Sequence, residues 1–421
     1  MIPIARRWWR QLGPGLITGA ADDDPSGIAT YSQAGAQFGY QLGWTVVLTY
    51  PLMVGIQMVS ARMGRVTGHG LASNIRTHFP RVVLYAIVAM LVAANTINVA
   101  ADIAAMGEAL QLVVGGPEHG HAIVFGVASL LLQVFLPYRR YVRYLKWLTL
   151  ALLAYVAVVF TIEVPWREAL LGVVWPRFAP TGEALTVIVA VFGTTISPYL
   201  FFWQAAQEVE EVNADPKASP LREAPETARR HLRRIKIDTY VGMGFSNLIA
   251  LCIIVSAAAT LHVAGIHDIR TSAQAAEALR PLAGEAAFLL FSLGIIGTGM
   301  LAVPVLAGSA AYAVAEAFEW RSGLDLHVLE AREFYAIVAL ATLGGVALDF
   351  TPIDPIQALF WSAVINGVIA VPIMIVMMLL ADDARVMGAF TVTRRLKVLG
   401  WLATWTMAAA VVAMFVTGAG E

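Results

Sequence analysis

The sequence predicts an all-α polytopic membrane protein of about eleven transmembrane helices, two of them broken near mid-membrane. Three observations predict it. Hydrophobic residues make up 58% of the chain and charged residues 14%, whereas soluble globular domains carry about 25% charged residues. Mean hydropathy is +0.70, and apolar runs of about the 20 residues needed to cross a bilayer recur along the whole chain. The first and sixth of these runs carry proline, glycine and clustered polar residues in their middles. No room is left for an inserted soluble domain. The single cysteine, Cys252, lies in an apolar run and excludes a disulfide framework.

The spans fall at about 13–38, 43–66, 82–114, 121–137, 143–163, 183–212, 236–261, 284–318, 332–350, 355–381 and 396–418. They form one transmembrane domain, 1–421, read as a first five-helix group (13–163), a second (183–381) and an extra helix (396–418). The basic start, Met1 to Arg10, has the layout of a signal peptide. The run after it carries an acidic break in place of a small-residue cleavage site, so it is expected to be retained. Small residues four apart, Gly15/Gly19 and Gly35/Gly39, predict close helix approach. The connection from Asn213 to Asp238 is proline-rich, then arginine-rich. It reads as a basic amphipathic segment lying on the anionic inner leaflet, with a regulatory or partner-binding helix as the other reading. Gln207, Glu208, Glu210 and Glu211, before it, read as a solvated face. His262 and His267 read as solvated loop histidines in preference to metal ligands.

Orientation follows from the basic residues. With the N-terminus inside, only Arg167, Arg177, Arg270 and Arg280 of the 28 lysines and arginines fall outside. The expected topology is therefore N-terminus cytoplasmic and C-terminus outside, in a multi-pass protein of a bacterial inner or plasma membrane.

Function is concentrated at the two breaks. In the first span, Asp22, Asp23 and Asp24 precede Pro25 and Gly27. Carboxylates at that depth are too costly to face lipid. Proline removes a backbone donor, and the carbonyls freed by a break are tolerated in a membrane only where they line a cavity or bind an ion. Gly193 and Pro198 bracket Thr194, Thr195 and Ser197 in the sixth span. Interrupted helices at matching positions of two halves point to a transporter site between inverted repeats. Asn95, Asn98 and Asp102 share one face of the third span. They either line an ion path or bond between helices. Asp22 and Asp23 either add to a field that draws cations or are solvated.

At these residues the chain resembles the Nramp family of divalent-metal transporters, within the LeuT-fold group. The resemblance covers the whole chain in span number and order. It rests on Gly13-Pro14-Gly15, Asp24-Pro25, the run from Gln33 to Tyr40, and the break from Gly193 to Pro198. It implies a LeuT-type inverted repeat, helices 1–5 against 6–10, with helices 1 and 6 broken. It also implies metal binding by Asp24, with Gly27 where the family has a ligating asparagine. Thr194 stands where a carbonyl ligand sits, and Ser197 where a methionine sulfur sits. Asn366 falls near a family glutamine and is expected, with Thr195, Asp102, Asp22, Asp23 and Asn98, in the outer shell or ion path. Without a thioether the donors are oxygens only, a set that suits magnesium and manganese over soft ions, as in the Nramp-related magnesium transporters. Tyr199 and Gln204 replace the family's two histidines, and Ala105 its third-helix glutamate; Glu108 lies about 120° away from Asp102 around the helix. The proton relay is thus expected to be missing.

The expected function is alternating-access transport of Mg²⁺ or Mn²⁺ without proton coupling. The alternatives are a proton-coupled Mn²⁺ or Fe²⁺ importer and, more distantly, a sodium-coupled amino-acid carrier. Neither His-Glu-x-x-His nor Gly-x-Ser-x-Gly occurs, so no enzyme is expected. The expected partners are the ion and the bilayer, with no nucleic acid and no cofactor; no oligomeric state is implied.

Overall fold

The computed structural model describes residues 18–19, 21–136, 148–176, 179–351 and 354–418. Gly13, Pro14, Gly15, the N-terminal arginines, Arg139, Arg140, Arg143, Lys146 and Arg177 lie outside the described residues, as does the start of span five. The described residues form helices and no strands.

Within the described residues, every expected span coincides with helix. Span one continues past its break as α1 (Pro25–Phe38), and α2 is Gly43–Thr67. A short helix, α3 (Leu71–His78), precedes α4 (Arg81–Val114) and α5 (Glu118–Phe135). The described part of span five is a 3₁₀ turn followed by α6 (Leu153–Thr161), and an outer helix, α7 (Trp166–Val174), follows it. Span six is α8 (Gly182–Thr195) and α9 (Pro198–Asn213). Span seven is α10 (Ala228–Ala257), which ends in a π turn at Ala258–His262. Then come α11 (Ala287–Phe318), α12 (Arg332–Leu348), α13 (Pro355–Asp382) and α14 (Arg394–Gly418).

Among the described residues, eight stretches are long and apolar enough to cross a membrane. The first of them, Pro25–Thr67, holds two expected spans, while α6 and α12 are the short members.

Helix contacts explain how both breaks reach the middle of the bundle. α1 packs on α10, α13 and α8, and α4 packs on α11, α13 and α12. Small residues permit the crossings: a Cβ on Gly35 would overlap the Ile254 carbonyl of α10, and one on Gly193 would overlap α13 at Ala363 and Gly367. Proline opens both helices that restart after a break, Pro25 at α1 and Pro198 at α9, where its missing N–H is unneeded.

One expectation about the connections is corrected, and two others gain detail. Glu208 is fully buried and pairs with Arg234, which also pairs with Glu211. Glu210 accepts from the Tyr312 hydroxyl and from Leu324 N. The end of α9 is therefore an ionic junction and no solvated face. A pattern confined to one helix cannot show that its charges are matched from another. His262 and His267 both donate Nδ1–H to the Ala36 carbonyl, at 2.7 and 3.2 Å, and so fasten the outer end of α1. The basic segment is likewise packed inward at Leu221 and Arg222, whose amides bond to Arg65 and Val66 carbonyls. Arg229, Arg230 and Arg233 remain exposed.

Candidate metal-ion site

The site begins with one residue that ends a helix and starts another. Helix extends to Asp22, Asp23 is a bend, and Asp24 adopts an extended conformation as the N-cap of α1. Its Oδ1 accepts from Gly27 N at 2.8 Å and from Ser26 Oγ at 2.6 Å. A carboxylate at a helix N-terminus satisfies free amides and meets the positive end of the dipole. Its Oδ2 accepts from Asn98 Nδ2 of α4 and from the Tyr199 hydroxyl of α9, each at 3.3 Å. Asp24 is 1% exposed. Three helices thus converge on one buried carboxylate.

The second break closes against the first. A Cβ on Gly27 would lie 3.2 Å from Thr194 Oγ1 and 3.3 Å from the Tyr31 ring, so the absence of a side chain there is what brings the breaks together. Tyr31 and Thr195 hydroxyls are 3.1 Å apart, and Thr195 also donates to the Val191 carbonyl. Ser197 caps α9, with its Oγ 2.9 Å from the Gly193 carbonyl and 2.7 Å from that of Thr194. Its single hydrogen goes to one of them, and the oxygen keeps its lone pairs.

Of the expected residues, Asp24, Asn98, Gly27 and Thr194 are brought together. Ser197 and Thr195 stand on the facing break, without a direct bond to Asp24. Asp22 and Asp23 face α10, where Ser246 Oγ lies 2.6 and 3.0 Å from one oxygen of each. Both are buried, which removes the reading of simple solvation. Asn98 Oδ1 accepts from Ser362 of α13 at 2.8 Å. One turn along their helices lie Asp102 and Asn366, both buried, with no hydrogen-bond partner among the described residues. Thr194 Oγ1 is in the same condition. Asn95 instead bonds to the Leu306 carbonyl and Ser309 of α11, which settles it as a link between helices. Glu108 accepts from Ser272 N and Oγ in an outer loop and is not part of this group.

Sequence reasoning missed Tyr199, Ser246 and Ser362. Tyr199 had been read only as a missing histidine, though a polar residue in the first turn after a break is well placed to reach the opposite one. Ser246 and Ser362 are lone serines in apolar runs and give little signal.

Among the described residues no group of three His, Cys, Asp or Glu is arranged as a metal cage. What converges on Asp24 is one amide side chain, Asn98, with the hydroxyls of Ser26 and Tyr199, and the facing break adds the Thr194 hydroxyl and carbonyl. Such a set suits a hard cation that keeps part of its water. An outer cavity of about 550 Å³ descends past Gln33, Gln37, Glu183 and Trp361 to Ala29 and Val187. Asp24 itself is closed off below it.

The family model described as Natural resistance-associated macrophage protein-like matches residues 15–417. The divalent metal cation transporter MntH of Klebsiella pneumoniae strain 342 is 28% identical over 93% of this chain and 90% of its own length. Among solved structures, the Eremococcus coleocola manganese transporter superposes with a TM-score of 0.77 at 18% identity, over 97% of this chain and 87% of that one. The inward-facing conformation of Mhp1 gives 0.56 at 14% identity, over 97% and 91%. At these identities the structural likenesses establish the fold.

Proposed function

Since the chain belongs to the Nramp family, we propose that it is a divalent metal cation transporter whose substrates are Mg²⁺ and Mn²⁺, working by alternating access without proton coupling. The observation that carries this reading is the donor set around Asp24: Asn98, Tyr199, Ser26 and the Gly27 amide surround it, with neither imidazole nor sulfur. On this reading the ion takes the second Asp24 oxygen from Asn98 and Tyr199. Its other positions are filled by carbonyls at the Thr194 break and by retained water. Magnesium dehydrates reluctantly and favours such sites. The two five-helix groups, 13–163 and 183–381, move against each other around it. The cytoplasmic N-terminus and outer C-terminus follow from charge, and a bacterial inner membrane is the proposed location.

A proton-coupled Mn²⁺ importer is the second reading, favoured by the buried Asp102. Flux of Mg²⁺, Mn²⁺, Ca²⁺ and Cd²⁺ into proteoliposomes, with internal pH recorded, separates the two. Mg²⁺ and Mn²⁺ flux at constant internal pH is expected. Acidification in step with Mn²⁺ uptake, beyond that of empty vesicles, would support the importer and refute uncoupled transport.

A further inference from the structure

α10 runs unbroken from Ala228 to Ala257, so the basic turns ahead of span seven are a rigid extension of a membrane helix. Its two faces differ. Inward, Arg234 pairs with Glu208 and Glu211 of α9, and His231 Nε2 meets the Arg65 guanidinium at 3.0 Å. Outward, Arg229, Arg230, Arg233 and Lys236 are exposed, and no ion pair engages them among the described residues. Residues 229, 233, 236 and 240 follow the spacing of one helix face. The Lys236 Nζ lies 5.8 Å from the centre of the Tyr240 ring. Beyond it the surface is apolar, with Val241 47% and Leu248 51% exposed.

The exposed surface therefore passes from cations, through an aromatic hydroxyl, to aliphatic side chains, turning about 100° round the helix between Tyr240 and Val241, because the face of Tyr240 is next covered at Asn247, which bonds to the Val46 carbonyl of α2. Depth agrees with that order. Ser246 touches the acidic break at mid-membrane, and Lys236 lies roughly ten residues below it, about 15 Å along the helix. That is half of the hydrocarbon core of about 30 Å. Lys236 reaches the headgroup boundary, and Arg233 and Arg229 stand in the headgroup layer.

We propose that this face of α10 binds an anionic phospholipid of the inner leaflet and that the bound lipid steadies the Arg234 junction with Glu208 and Glu211. The phosphate lies against Arg229, Arg233 and Lys236, and an acyl chain runs along Tyr240, Val241 and Leu248. A soluble acidic partner would meet only the first turns, and a second copy would oppose like charges; a lipid, charged at one end and apolar at the other, matches both the cations and the adjoining apolar surface. The coupling is electrostatic. Five cations crowd two turns of helix, and a phosphate on the outer face relieves their repulsion and leaves Arg234 in place on the inner one. Lipid binding does not depend on which ion is carried; the coupling to the junction rests on the alternating-access reading.

Native mass spectrometry of the full chain with equal phosphatidylglycerol and phosphatidylcholine tests the site. Preferential retention of phosphatidylglycerol is expected, and Arg229→Gln/Arg233→Gln/Lys236→Gln should lower that preference at least about tenfold. Arg394→Gln/Arg395→Gln, from the other exposed basic cluster, should keep it, and Arg229→Lys/Arg233→Lys should keep most of it. Undiminished preference in the triple variant, or equal loss in the Arg394/Arg395 variant, would overturn the site. Displacement of the lipid by a polyglutamate peptide at matched ionic strength would assign the face to a soluble partner and overturn it too. For the coupling, a cysteine at Gln204 should react more slowly with an impermeant maleimide from the inner side in phosphatidylglycerol vesicles than in phosphatidylcholine, and the triple variant should abolish the difference. Equal rates in both vesicles would refute the coupling while leaving lipid retention to be judged on its own result.

Discussion

On the proposed reading Asp24 carries the chemistry, because its backbone and its side chain are fixed by the same event. The helix stops, the carboxylate turns to cap α1, and its second oxygen is left for α4 and α9 to share. Asp24→Ala should abolish divalent flux while the protein still inserts and folds; normal flux in vesicles would refute the assignment. On the same reading Ser197 sets the hardness of the site. Ser197→Met with Gly27→Asn places a soft sulfur beside the break, and cadmium should gain on magnesium by about tenfold in relative affinity, equivalent to about 1.4 kcal/mol. The Gly27 position is tight, with Thr194 and Tyr31 within 3.3 Å of an added Cβ, so Ser197→Met alone is the control for misfit. Calorimetric titration of both metals checks it: unchanged affinities in both variants would mean that Ser197 does not face the ion.

Spans were legible because an apolar run must be long enough to cross the bilayer, and both breaks announced themselves through Asp24-Pro25 and Ser197-Pro198. The connections were not, because their order depends on partners distant in sequence. α3 is the plainest example. Its N-cap is Gly70, with no side-chain cap, and the Glu316 carboxylate of α11 supplies one by accepting from Ser73 N at 3.1 Å. Asn74 then ties the helix to Thr67, His69 and Gly70. Nothing in residues 71–78 foretells that a glutamate some 240 positions later completes the helix. The same holds at Asp24, where Tyr199 was visible as a residue type and invisible as a contact. Glu316→Ala should remove the cap at a loss of about 1 kcal/mol and expose the α2–α4 connection. Limited proteolysis from the inner side would report it as faster cleavage near 68–80; an unchanged digestion pattern would show that Asn74 alone holds α3.

At the scale of the whole molecule, and with the proposed orientation, the outer cavity stops at Ala29 and Val187, while two layers lie between Asp24 and the inner surface. The Thr18 hydroxyl bonds to Gln204 at 2.5 Å, and below it Arg234 clamps Glu208 and Glu211. Glu208 is fully buried, and Arg234 keeps only 18% of its side-chain surface exposed. Removing one partner of a buried pair leaves a charge without compensation, at a cost of about 3–5 kcal/mol where both groups are fully enclosed. Part of that penalty is relieved here by the exposed edge of Arg234. On the alternating-access reading, Arg234→Gln leaves Glu208 buried and unpaired while the inner side is closed, and opening returns it to water. The substitution therefore destabilises the closed arrangement relative to the open one, and a bias of about 1.4 kcal/mol already shifts the population ratio tenfold. A cysteine at Gln204, in a Cys252→Ser background, should react with an impermeant maleimide from the inner side roughly ten times faster in Arg234→Gln than in its absence. Arg229→Gln, on the outward face, should change the rate little. Equal rates with and without Arg234 would mean that the ionic junction of α9 and α10 does not seal the inner side and serves only to anchor the two helices.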